Sequence, residues 1–228
     1  MGKKEAMGQL IELIERWGGR FSADLGIDLE SGNAKEVFKW FLASILFGAR
    51  INRNVAMRTY REFAKRVILS PDDILRTGWH GLVEILDAGG YVRYDFKTAS
   101  KLLDIATTLN KRYGGNLNQL HEEARDARNL ELKLVEFKGI GPVTVNIFLR
   151  ELREIWSKAD PLPSPLVVEA ARNLGLTGFK EKEDAEERRK ILIDLKRIWK
   201  KEKLPYRFSA FEAALVKFGI EQRRKRHR

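Results

Sequence analysis

No segment of the chain alternates apolar and polar residues with a period of two, the pattern a half-buried strand requires. Helical spacing recurs instead. Met7, Leu10, Ile11, Leu13, Ile14 and Trp17 line one face before Gly18-Gly19 stops the run, and Val37, Phe38, Phe41, Leu42, Ile45 and Leu46 do the same before Phe47-Gly48-Ala49-Arg50. Ala99, Leu102, Leu103, Ile105, Ala106 and Leu109 form a third stripe, closed by Gly114-Gly115. In Ser70-Pro71-Asp72-Asp73 a hydroxyl stands at the N-cap, proline at N1, and acids at the positive helix end. The spacing predicts helices over 5–18, 33–47, 53–67, 70–77, 79–88, 97–113, 131–137, 143–156, 164–173, 184–201 and 208–218. Residues 116–128 read as a polar helix or loop-helix. The fold class is therefore all-α, without internal repeats.

Alternate prolines in Asp160-Pro161-Leu162-Pro163-Ser164-Pro165 remove donors and push the preceding residues extended, so this segment is the clearest internal boundary. With 228 residues, 43% of them hydrophobic, the chain can fill one large core or two small ones.

Forty-three Lys and Arg against 32 Asp and Glu leave a net charge of +11, which favours a polyanionic partner, nucleic acid first. Zero cysteines exclude disulfides, cysteine-ligated zinc, iron–sulfur clusters and thiol nucleophiles, and His80, His121 and His227 are too scattered to suggest a metal site. No metal or cofactor is expected. The strongly apolar stretches, such as 38–47, are far shorter than the roughly 20 residues that span a bilayer. The N-terminus lacks the apolar core of a secretory signal, so a cytoplasmic, monomeric protein without membrane association is expected. A charged fraction of 33% would suit a hot habitat.

Between Leu134 and Leu149 the chain reads LVEFKGIGPVTVNIFL, two apolar helices joined by a Gly-x-Gly hairpin. Glycines permit positive φ and close approach, and the second helix then presents unpaired N–H groups to an anion such as a phosphate. An ordinary tight corner between helices has the same pattern. Lys138 and the net charge tilt the reading towards nucleic-acid backbone.

This hairpin resembles that of the endonuclease III-like, helix-hairpin-helix DNA glycosylases. The resemblance extends back through FKWFLASILFGARINRNVAMRTYREF and Lys97-Thr98-Ala99 and on to VVEAARNLGL, covering about 34–176. It implies a six-helix barrel domain over 33–156 carrying the hairpin, with 1–32 and 157–228 forming a second helical domain. Double-stranded DNA containing a damaged or mismatched base would lie across the cleft between them, the target nucleotide flipped out. Backbone groups at Gly139, Ile140, Gly141 and Val143 would hold a phosphate, with Lys97 and Lys138 beside them, and Arg50 would fill the gap left in the base stack.

The resemblance breaks at the catalytic positions. Members with lyase activity carry an amine nucleophile where this chain has Val143, and the aspartate usual in catalytic members falls, ten residues before Leu174, on Ser164. A hydroxyl can cap a helix there but cannot stabilise an oxocarbenium cation. Asp160 is the replacement candidate, as electrostatic stabiliser or general base, or else an exposed loop acid; Glu169 either faces the same site or pairs on the surface with Arg172.

The aromatic loop 91–96 offers a base pocket from Tyr91, Tyr94 and Asp95, unless some of its rings are core anchors. The tail after Glu221 holds five Lys and Arg in seven residues, read as a phosphate-attracting or merely solvated end, where cluster-containing relatives carry their cysteines. Two functions follow: a monofunctional base-excision repair glycosylase, or a non-catalytic DNA-binding module that retains the fold. A helical protein-interaction scaffold leaves the hairpin and its lysine unexplained.

Overall fold

A computed structural model describes residues 3–178, 184–204 and 206–226. Regular structure among them is helical throughout: α1 (Lys3–Trp17), α2 (Phe21–Asp24), a 3-10 turn (Leu29–Ser31), α3 (Ala34–Phe47), α4 (Arg53–Lys65), α5 (Pro71–Ala88), α6 (Asp95–Tyr113), α7 (Leu117–Glu123), α8 (Ala127–Val135), α9 (Pro142–Glu151), α10 (Pro165–Asn173), α11 (Ala185–Lys201) and α12 (Phe208–Arg226). Short polar side chains start many of them. Asn33, Asn52, Ser70 and Asp126 each accept a first-turn amide, a cap that contributes about 1 kcal/mol. Gly78, at φ 67° and ψ 175°, breaks α5 into the two segments anticipated from the pattern, and only glycine adopts that conformation without strain.

Two compact units divide the chain. One is continuous, Ser22–Asp160; the other joins both ends, up to Phe21 and from Pro161 onward. The expected limits, 33 and 156, fall eleven and four residues inside these, for identifiable reasons. Ser22 donates its backbone N–H to the buried Glu151 carboxylate at 2.9 Å, and Ile27 and Leu29 are core residues. After Trp156 the chain still packs, with Ala159 buried.

In the continuous unit α3 is the centre, with Val37, Trp40, Phe41, Leu42 and Leu46 fully enclosed. Trp40 Nε1 donates to the Phe148 carbonyl at 3.0 Å, and Phe41 meets Phe148 edge-on at 5.0 Å and Phe137 at 6.0 Å. These contacts fasten α9, and the hairpin before it, to the core. The segment expected as 116–128 divides into α7 and the start of α8 because Asp126 caps a new helix through the Asn129 amide.

In the other unit α12 packs on α1 and α10, and Gly219 admits close approach: a β-carbon there would stand 3.0 Å from the Leu166 carbonyl oxygen. Lys217, 6% exposed, donates to the carbonyls of Gly18 and Gly19 at 3.3 and 3.0 Å, placing a cation at the negative end of α1. The basic stretch is not a loose tail through Arg226. It continues α12, with Arg223 and Arg226 bound to Glu169 of α10 at 2.7 and 3.0 Å; His227 and Arg228 lie outside the described residues.

Candidate nucleic-acid interface

The hairpin between α8 and α9 is held from below by Phe137 and Ile140, which are 2% and 4% exposed. Gly139 takes φ 82°, a conformation open to glycine. Gly141 is the N-cap of α9 and Pro142 its first residue, and no side chain caps this end. The first-turn amides of Val143 and Thr144 therefore have no intrahelical acceptor, and Val143 is 63% exposed. The Ile140 N–H, expected among the phosphate donors, is instead bonded to the Phe137 carbonyl at 2.9 Å, because its apolar side chain must point into the core.

Beneath the hairpin lies Lys101, a residue the sequence reading did not single out. A β-carbon on Gly139 would fall 2.7 Å from Lys101 Cδ, so the lysine stem fills the space the glycine leaves. Burial, and secondarily the like charge of Lys97, hold the Lys101 ammonium below the usual lysine range. Lys97, four residues earlier, is exposed on the same face of α6. Lys138 pairs with Asp104 at 2.9 Å across open surface, a bond that solvent weakens and a phosphate could displace.

Arg50 follows the end of α3. Gly48 in that turn packs on the first turn of α9, its α-carbon so near Thr144 that a β-carbon would meet Oγ1 at 2.1 Å. The exposed Arg50 turn and the hairpin thus belong to one rigid corner of the continuous unit.

Tyr91 is a core anchor rather than a pocket wall: it is 1% exposed, and its hydroxyl lies 3.4 Å from the Leu46 carbonyl oxygen. Tyr94 is half-buried, with the Arg93 guanidinium 5.5 Å from its ring centre. Asp95, 8% exposed, accepts the Phe96 amide at 2.6 Å and shares a hydrogen bond with Asp87, whose carboxyl is raised by desolvation and by this neighbouring acid. These bonds turn Asp95 towards the α5–α6 junction.

Asp160 closes the continuous unit. Its carboxylate, about a third exposed, accepts from Arg153 Nη1 at 3.0 Å, and the arginine itself is 4% exposed. Ser164 caps α10 through the Val167 amide at 3.4 Å. Glu169 is engaged by Arg223 and Arg226. Among the described residues no group of acids and histidines is arranged to hold a metal ion, and no helix is long and apolar enough to cross a membrane.

No known protein-family model matches the chain, and no curated protein matches it by sequence. The structure, however, is similar to the crystal structure of an H. pylori 3-methyladenine DNA glycosylase (MagIII) bound to 1,N6-ethenoadenine. The likeness covers 97% of this chain and 98% of that one, with a TM-score of 0.58 and 15% identity. The fold is that of the helix-hairpin-helix DNA glycosylases.

Proposed function

We propose that the protein is a base-excision repair enzyme, a monofunctional DNA glycosylase that hydrolyses the N-glycosidic bond of a damaged base extruded from double-stranded DNA. The observation that carries this reading is the Gly48–Thr144 contact. It sets the Arg50 turn against the uncapped start of α9, so that a stack-filling guanidinium and a phosphate cradle stand together on one unit of the glycosylase fold. The net charge of +11 supplies the non-specific attraction to DNA.

Asp160 acts in this reading as a fixed anion. Arg153 holds its carboxylate, which favours electrostatic stabilisation of a sugar oxocarbenium ion over proton abstraction. Water is then the nucleophile, since Val143 offers no amine for a Schiff base. The similar H. pylori enzyme is named for 3-methyladenine and was crystallised with an etheno adduct. We place alkylated purines first among the candidate lesions on that ground, ahead of uracil, mismatched thymine and 8-oxoguanine.

Ser164 at the usual aspartate position supports a second reading, a DNA-binding module without chemistry. One assay separates the two: duplexes each carrying a single lesion are incubated with the protein and scored for abasic sites with and without hot alkali. Alkali-dependent cleavage at an alkylated purine is the expected result. Lesion binding without base release would establish the binding module, and cleavage without alkali would reveal a lyase.

A further inference from the structure

On the α5–α6 face of the continuous unit three aromatic rings form an exposed row. Phe96, at the start of α6, is 59% exposed, and its ring centre lies 5.2 Å from that of the half-buried Trp79. Exposed His80 meets Trp79 edge-on at 5.1 Å. Hydrogen bonds fix the indole at the centre: Trp79 Nε1 donates to Ser100 Oγ, and Ser100 Oγ donates to the Phe96 carbonyl, both at 3.0 Å. The indole N–H is therefore satisfied within the protein, and the indole is oriented before anything binds.

The location is informative. Phe96 and Ser100 stand one turn apart on α6, and the adjoining stripe of that helix carries Lys97 and Lys101, the latter running beneath Gly139 of the hairpin. A cluster of rings, Phe96 tilted 42° and His80 88° from the plane of Trp79, thus borders the cationic strip that leads to the phosphate cradle. Apolar rings beside fixed cations complement a strand whose bases are unpaired: the rings stack on base faces and the lysines meet the phosphates. Fully paired DNA keeps its bases inside the duplex and offers such rings no face.

We infer that Trp79, His80 and Phe96 form a stacking platform for unpaired bases of a DNA strand whose backbone is held at the hairpin. The inference rests on the phosphate role proposed for the hairpin and adds a preference for DNA with a single-stranded segment next to the duplex.

The test measures affinity of the full chain, by fluorescence anisotropy, for three probes: a blunt duplex, the same duplex with a single-stranded thymidine extension at either end, and the same extension built from abasic residues. The thymidine extension should tighten binding about ten-fold, and the abasic one should add much less. Phe96→Ala should remove the thymidine increment while leaving blunt-duplex affinity unchanged, and Phe96→Tyr should retain it, which separates loss of stacking from loss of fold. Equal increments from thymidine and abasic extensions, no increment at all, or an increment that survives Phe96→Ala would each overturn the platform. A platform that covers a protein partner instead would show the last of these. Failure of the hairpin reading shows separately, as unchanged blunt-duplex affinity in Gly141→Val.

Discussion

Gly48 and Thr144 touch so closely that no methyl group fits between the end of α3 and the start of α9: a β-carbon on Gly48 would lie 2.1 Å from the threonine hydroxyl oxygen and 3.2 Å from its Cβ. Both helices are fastened elsewhere, by Trp40 on the Phe148 carbonyl and by Phe41 against Phe148. Neither can retreat cheaply. Gly48→Ala should therefore destabilise the protein by about 1–3 kcal/mol, the usual cost of overpacking. Thr144→Ala in the same chain should return part of that loss, a coupling measurable by a urea double-mutant cycle.

The two hairpin glycines should fail differently. Gly141 has φ −108° and open space around a β-carbon, so Gly141→Val should fold normally and weaken binding to every duplex alike, leaving lesion preference intact. Gly139 combines φ 82° with the Lys101 stem 2.7 Å from a β-carbon, so Gly139→Ala should lower stability by about 1–2 kcal/mol as well as affinity. Thermal denaturation beside a binding isotherm distinguishes the two.

Arg50 carries a different expectation. A guanidinium that fills a vacated stack contributes only when a base is out, so Arg50→Ala should reduce lesion-specific binding more than binding to undamaged duplex. An equal loss of both would reduce Arg50 to a phosphate contact.

Asp160→Asn should abolish base release while damaged-DNA binding survives, because the amide keeps the shape and removes the charge. Single-turnover assays on the responsive lesion read this directly. Glu169 is held by Arg223 and Arg226, so Glu169→Gln should cost up to about 1 kcal/mol of stability and leave base release unaffected. Full activity in Asp160→Asn would place the acid elsewhere.

His121 gives the continuous unit a calculable acid sensitivity. Its ring stacks on Trp156 at 4.8 Å, and burial, with Lys158 as the second cause, lowers its pKa from the ordinary 6.5. The folded state thus resists a proton that the unfolded chain accepts. Stability associated with this site is complete above about pH 6.5 and is lost as pH falls through the lowered folded value. His121→Phe should flatten that part of the stability profile, measured by urea denaturation at stepped pH.

Much of the architecture was legible because it rests on local chemistry: caps such as Asn33 and Ser70, the glycine at 78, and the apolar stripe of α3 are all written in neighbouring residues. The hairpin was legible for the same reason. Lys101 was not, since nothing near it in sequence says that its methylenes will run under Gly139. Arg153 is similar: it reads as one more surface charge until the fold buries it against Asp160. The basic run after Glu221 reads as a phosphate-attracting or solvated end because its partner, Glu169, lies more than fifty residues away. Charge runs report composition, whereas pairing depends on which helices meet.

The division of the chain also orders its synthesis. Residues 22–160 form one uninterrupted unit, whereas α1 packs on α12, a helix at the far end of the chain. A ribosome that adds about 5–20 residues per second releases the complete continuous unit while α1 still lacks its partner. The hairpin and the Arg50 turn can form at that stage, and the other unit closes only after translation has passed Arg226. Until then the apolar face of α1, with Leu10, Leu13 and Ile14, is a surface that a holdase chaperone would cover.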